Sequence, residues 1–317
     1  TPQSRGKALI NMMPLEKDET ISVYMRLPEN EEVWDKLDIM FATSHGSVRR
    51  NKLTDFKNIR ANGLIAMKLE NAEKLVSVKI CREDEDILLA SRLGKAIRFP
   101  VTDIRVFAGR TSTGVRGVKL AKDDEVISMS ILRHIDITQE ERDAYLRAAG
   151  QEISEDGAEE AAAASANTDF KLPEERYREL LAKEQLLLTV TNKGFGKRTS
   201  AYEYRVAGRG GQGITNMSLT SKNGGKVVAS FPVTDNHQIM LVSDQGQLIR
   251  TPVENIRITG RSAQGVNYLV PEGRNEALLA SAGLTLLERE DRTSSVVTNA
   301  GGRLAAIARR RDELREH

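Results

Sequence analysis

The chain has 317 residues, of which 29% are charged and 4% aromatic, with a formal net charge of +2. That length can bury a sizeable core in one large domain or two, while the scarcity of aromatic rings argues against stacking on unpaired bases as a main activity. The near-neutral charge averages two unlike parts: residues 136–183 hold 13 Asp/Glu and 6 Lys/Arg, a net of −7, and the whole-chain +2 less that −7 leaves +9 on the rest. A basic body with an acidic insert points to nucleic acid. A single cysteine, Cys81, excludes a disulfide framework and fits a reducing compartment. His45, His134, His237 and His317 share no metal-ligand spacing with it, so no metal is expected. No apolar run approaches the ~18 residues of a membrane span, and no signal peptide opens the chain. The first residue is Thr1, which falls inside a repeat; a piece of a longer, cytoplasmic protein is expected.

One unit returns four times. In chain order the copies are residues 38–57, 86–105, 185–205 and 238–257, with turn glycines Gly46, Gly94, Gly194 and Gly246. The first pair and the last pair of glycines lie 48 and 52 residues apart, and the middle interval is 100, one period plus an insert. Periods of about 40–50 residues point to a propeller-like array. Each glycine follows four apolar or near-apolar residues, from Ile39–Ala42, Ile87–Ala90 and Leu187–Val190 to Ile239–Val242. Such runs suit strands covered on both faces. After each turn a charged strand returns. Leu53, Val101, Ala201 and Val253 form one apolar column and Phe56, Ile104, Tyr204 and Ile256 another; both are expected to point inward. A Gly-rich basic loop follows each hairpin, at 58–63, 109–114, 208–213 and 260–265, and Pro2–Gly6 looks like the same loop of a preceding unit. Two hairpin-like pieces per period give about four strands per blade. The fold class is all-β: a disk of about five four-stranded blades, roughly at 1–56, 57–104, 105–204, 205–256 and 257–283.

Between the second and third repeats lies the acidic insert, 137–183. Thr138 and Glu141 form a capping box that starts a short helix over 140–149. Residues 150–168 are acidic, Ala-rich and without an apolar stripe, which predicts disorder. Pro173 suits the first turn of a second helix. Beyond Glu276 the pattern fails, and 284–317 is an irregular tail, unassigned except for a helix from about Arg303.

The charges repeat as faithfully as the apolar residues. Four places after each glycine stands an arginine: Arg50, Arg98, Arg198 and Arg250. Eleven places after stands Lys57, Arg105, Arg205 or Arg257. The loops add Arg60, Arg110, Arg209 and Arg261, with Gly210 and Gly211 permitting close approach to a phosphate backbone. Arg5, Lys7, Arg49, Lys52, Lys95, Arg116 and Lys197 extend the same stripe. Charge on a strand is commonly a solvated face or edge protection, but edge protection does not require arginine at one offset four times. The columns are therefore expected to face outward, toward a regularly spaced polyanion. The offset-nine residues Asp55, Asp103, Glu203 and Asn255 would pair with neighbouring cations and hold them. About nine phosphate contacts would give a slope of log K on log salt of roughly −8. Gly208–Gly213 lacks the Lys-Ser/Thr end of a P-loop, and no Ser-His-Asp set, carboxylate pair or metal cluster assembles into an active site.

The segments FATSHGSVRRNKLTDF, RFPVTDIRVFAGRTSTGVRGV, TVTNKGFGKRTSAYEYR, QIMLVSDQGQLIRTPVENI and GRSAQGV, spread over most of residues 1–275, resemble the C-terminal β-pinwheel domains of DNA gyrase A proteins. The resemblance implies blades that exchange strands with their neighbours and double-stranded DNA bent around a basic outer rim, in support of negative supercoiling. It implies no catalysis in this piece: the strand-cleaving tyrosine lies upstream, and ATP and Mg2+ are used elsewhere in an A2B2 enzyme. The implied partners are DNA, the rest of gyrase A, and gyrase B, in the bacterial nucleoid. The family's Q-R-R-G-G-K-G box is missing in full; Arg209-Gly210-Gly211-Gln212-Gly213 echoes it with Gln in place of Lys. The equivalent domain of the topoisomerase IV A protein and a protein-interaction propeller are the alternatives.

Overall fold

The apolar runs and the glycine turns build four hairpins in one register. The structure, a computed structural model, describes residues 21–59, 63–70, 72–151, 170–242 and 248–267, with short strands at 285–290, 293–296, 298–299 and 304–305. The hairpins are β1 (Asp38–Thr43) with β2 (Ser47–Lys52), β4 (Glu85–Ser91) with β5 (Lys95–Pro100), β8 (Leu186–Thr191) with β9 (Phe195–Ser200), and β12 (Gln238–Val242) with β13 (Leu248–Pro252). Met40, Leu88, Leu188 and Met240 face Arg50, Arg98, Arg198 and Arg250 across the four pairs. An identical register in every copy means that equal sequence offsets occupy equal places.

An outer strand joins each of the first three hairpins: β3 (Leu75–Cys81), β7 (Val126–Arg133) and β11 (Val227–Val233). The fourth strand arrives from the next repeat. β6 (Val115–Arg116) pairs with β2, β10 (Ile214–Thr215) with β5, and β14 (Val266–Asn267) with β9. The sheet orders are β3-β1-β2-β6, β7-β4-β5-β10 and β11-β8-β9-β14. Glycine makes this exchange possible. Gly213 adopts φ +72°, and a Cβ there would sit 2.4 Å from the Ala96 carbonyl oxygen on β5, so the incoming loop can meet the strand edge only without a side chain.

One expectation is corrected by this exchange. The linear blades 1–56, 57–104, 105–204, 205–256 and 257–283 do not correspond to sheets, because each of the first three sheets also takes a strand from the following repeat. The described residues contain four four-stranded sheets. In the fourth, β15 (Thr285–Glu290) lies beside β12 and β16 (Thr293–Val296) beside β15, so part of the tail that resisted alignment supplies the outer strand. Leu304–Ala305, where a helix was expected, forms strand β18 with β17 (Thr298–Asn299); residues 306–317 lie outside the described residues. So do Gly246, residues 152–169 of the insert, and the preceding-unit loop at 2–6.

The core lies between blades. Met40, Val48, Ile87, Phe99, Val101 and Ile104 join sheets 1 and 2; Leu88, Leu132, Leu187, Ala201 and Tyr204 join sheets 2 and 3; Leu188, Phe231, Ile239, Val253 and Ile256 join sheets 3 and 4. The two apolar columns point inward as expected, with Phe56 half-buried. The insert folds as α1 (Gln139–Ala148), started by the Thr138–Glu141 capping box, and α2 (Glu174–Lys183), capped at Pro173. Tyr145, Leu146 and Leu180 of these helices pack on Tyr202 of the third repeat.

Candidate nucleic-acid interface

The offset-four arginines do not face solvent in three of the four blades. Arg50, Arg98 and Arg198 are 3%, 4% and 6% exposed. Each return strand is covered on its free edge by the exchanged strand and on one face by the next blade, so its arginine has nowhere to go but across the seam. Arg50 binds Asp38 through Nε at 2.8 Å and Nη2 at 2.6 Å, and donates from Nη1 to the carbonyls of Val101 and Ile104. Arg98 repeats this with Asp86 and the carbonyls of Ala201 and Tyr204. Arg198 pairs with Asp235 and donates to the carbonyls of Ile256 and Glu254. Each guanidinium thus satisfies the 3-10 turn of the following repeat, at Val101–Asp103, Ala201–Glu203 or Val253–Asn255. A buried charge is tolerated only when paired and hydrogen-bonded in this way. Arg250 is exposed and donates to Gln238; no following turn reaches it among the described residues.

The loop arginines point the other way along the chain. Arg110 Nη1 donates to Asp55 O at 3.0 Å, Arg209 Nε to Asp103 O at 3.0 Å, and Arg261 Nε to Glu203 O at 3.2 Å. A second bond from each reaches back to a carbonyl of the preceding repeat, Ile65 O for Arg110 and the exchanged-strand carbonyls of Arg116 and Thr215 for Arg209 and Arg261. The offset-nine carboxylates Asp103 and Glu203 accept the backbone N–H of the loop arginine. These carboxylates hold the loop backbone at a seam. Arg49 and Lys197 are also buried: Arg49 donates to Asn51 and Ser112, and Lys197 Nζ to the carbonyls of Gly260 and Arg261.

The expectation of outward-facing charge is therefore corrected for Arg49, Arg50, Arg98, Lys197, Arg198 and Arg261: each side chain is turned into a blade seam, where exchange and stacking bury it. The missed residues are Asp38 and Asp86, each twelve places before its arginine and at or next to the start of a wholly apolar run. That spacing was the available signal.

What remains outward is the offset-eleven column. Lys57, Arg105, Arg205 and Arg257 are exposed in all four repeats. Arg105, Arg205 and Arg257 each follow the 3-10 turn that the preceding blade's arginine grips, so their backbone is anchored. Beyond them, the Phe107, Ala207 and Thr259 N–H groups donate to Arg50, Arg98 and Arg198 carbonyls at 2.8, 2.8 and 2.9 Å. Arg105 lies over Phe107 at 4.2 Å and Lys57 over Trp34 at 6.0 Å, contacts that bias a long side chain without removing its charge from water. Lys95, Arg116, Arg209 and Arg250 are exposed as well, Lys52 and Arg110 half-buried, Gly211 exposed and Gly210 half-buried. Arg5, Lys7 and Arg60 lie outside the described residues.

The model of the DNA gyrase C-terminal domain, beta-propeller, matches residues 37–82, 85–133, 185–234 and 237–272, more than half of the chain. The chain belongs to the DNA gyrase C-terminal domain family. The first three family units each hold a hairpin and its outer strand, which places the acidic helices between units two and three. The DNA gyrase A protein of Granulibacter bethesdensis is 52% identical over 277 residues, covering 84% of this chain and 30% of the relative. That of Rickettsia bellii is 49% identical, covering 88% and 31%. The chain thus spans about a third of the length of the curated relatives it matches. Among solved structures, the C-terminal domain of DNA topoisomerase IV superposes with a TM-score of 0.63 at 18% identity, covering 90% of this chain and 72% of that one. The DNA gyrase A C-terminal domain gives 0.60 at 20%, covering 96% and 77%. These two establish the β-pinwheel fold. No helix among the described residues is long and apolar enough to cross a membrane.

Proposed function

We propose that this gyrase-family domain binds double-stranded DNA without reading its sequence and bends it around the blade rim, as the wrapping part of a bacterial DNA gyrase. The observation that carries the reading is the offset-eleven column: one exposed cation per repeat at one sequence offset, on a backbone anchored in the second, third and fourth repeats by the preceding blade. Side chains spaced by blade geometry and bound to phosphates would contact a duplex without base readout. Bending a few tens of base pairs costs on the order of 1–6 kcal/mol or more, offset by those contacts. With the buried arginines removed from the count, about eight exposed cations remain, which predicts a slope of log K on log salt of about −7.

The domain would act with the remainder of gyrase A and with gyrase B in the cytoplasm, contributing no catalytic group, while ATP and Mg2+ are used elsewhere in the enzyme. A chiral wrap would present the crossing strands with one sign and so direct supercoiling. The test is ligation of nicked circular plasmid in the presence of the chain. A one-sided shift in the topoisomer distribution is expected; duplex binding with no shift would reduce the domain to a basic module that does not wrap.

A further inference from the structure

One guanidinium is left short of an acceptor. Arg49 is 0% exposed, and its Nη2 has no hydrogen-bond partner. Its Nε donates to Asn51 Oδ1 at 2.8 Å, and Nη1 donates to Ser112 O at 2.5 Å and Ser112 Oγ at 2.9 Å. The other end of the Asn51 amide is held away from Arg49, its Nδ2 donating to Phe107 O, Gly109 O and Asp55 Oδ2.

The surroundings add positive charge instead of cancelling it. Arg49 lies 5.0 Å from the centroid of Phe107, and Arg105 lies over the same ring. Burial lowers the pKa of Arg49 first, and Arg105 and Arg110 lower it further, with Asp55 the opposing charge. Three cations around one carboxylate leave a local excess. The cover is thin, since Gly109, Thr111 and Ser112 are exposed and a side chain at Gly109 would meet nothing within 4 Å. The equivalent places elsewhere are complete without a ligand. In the third repeat Lys197 Nζ donates to two carbonyls, and in the second the residue is Ile97, buried in the core between sheets 1 and 2.

We infer that the missing acceptor is a phosphate group: Arg49 and Arg105 at Phe107, with Arg110 beside them over Phe56, form a phosphate-binding site under the 109–112 loop. A guanidinium with an open N–H suits a phosphate oxygen, and a planar fork suits two of them. The inference deepens the DNA reading, and rests on it for the source of the phosphate but not for its chemistry.

The test follows the arginine Nε–Hε resonances of the full 317-residue chain, titrated with inorganic phosphate at constant ionic strength and separately with a short DNA duplex. The Arg49 signal is expected to move saturably with phosphate, and the duplex to compete. Arg105→Gln should weaken phosphate binding by about tenfold, or 1.4 kcal/mol, while Arg205→Gln leaves it unchanged. Arg49→Met should abolish it, and Arg105→Gln keeps the test valid if that buried variant does not fold. Saturation by phosphate without competition from the duplex supports the site and assigns it a free anion. A duplex response alone supports it and assigns it a phosphodiester. An Arg49 signal silent to both overturns the site, and leaves the DNA reading standing if the duplex binds elsewhere. A chain that binds no duplex at all sinks the DNA reading, and the phosphate titration then judges the site alone.

Discussion

Arg98 and Arg105 stand seven residues apart, carry the same charge and recur at fixed offsets from the same glycine, yet they occupy opposite environments. Arg98 is 4% exposed and grips the turn of the next repeat; Arg105 is exposed at the end of a turn gripped by Arg50. The difference teaches that a repeated charge has two sources. An array must bind its partner, but first it must bind itself, and a blade of exchanged strands presents open backbone carbonyls to its neighbour at each seam. Arginine, with five donors in a planar fork, reaches a carboxylate and two carbonyls at once. Recurrence alone does not separate the two uses.

The sharpest way to break the comparison is Arg98→Met. It leaves Asp86 buried with His134 as its remaining partner, removes the bonds to the carbonyls of Ala201, Tyr204 and Arg133, and should cost about 3–5 kcal/mol, read as a fall in the urea midpoint. Next comes the seat of the insert. Thr102 and Glu254, which occupy the place of Tyr202 in other repeats, are exposed, whereas Tyr202 is buried and donates to Leu180 O at 2.8 Å. Tyr202→Thr should cost about 2–4 kcal/mol and appear as faster hydrogen exchange in 139–148 and 174–183, with the sheets protected as before.

A smaller effect is expected from pH. Burial works against a charge on His134, but Asp86 at 2.8 Å and Asp136 at 3.2 Å outweigh it and raise its pKa above 6.5; Arg98 shares Asp86. Protonated His134 therefore contributes stability that is complete below pH 6.5 and is lost as the pH rises through the folded value. The melting temperature should fall across that window, and His134→Gln should flatten the fall. The smallest effect belongs to Arg250→Met. This arginine shares the offset of Arg98 but is exposed, so its loss should change stability by less than about 0.5 kcal/mol.

The glycine period, the apolar strands and both inward columns were legible because each obeys a local rule: a turn that needs φ > 0, a run covered on both faces, an apolar residue at a fixed offset from the turn. The insert's helices were legible from Thr138, Glu141 and Pro173 for the same reason. Strand exchange was legible only through the family resemblance, not from the residues themselves. Val115–Arg116 reads as a loop's continuation, and only the three-dimensional return places it on β2. The burial of Arg50 and Arg98 follows from that exchange, so the site was half legible: the offset-eleven column was picked out correctly as a repeated feature, but it could not be told from the seam columns beside it. The pairs Asp38–Arg50 and Asp86–Arg98, twelve residues apart at the same place in adjacent repeats, carried the missing information.

The most direct measurement is the salt dependence of duplex affinity for a chain carrying Arg105→Gln, Arg205→Gln and Arg257→Gln together. If the exposed column carries DNA, the magnitude of the slope should fall by about 2.7, or 0.9 for each lost cation, while the urea midpoint holds. An unchanged slope, or a slope that falls only because the chain has lost its fold, would contradict the division between seam and rim.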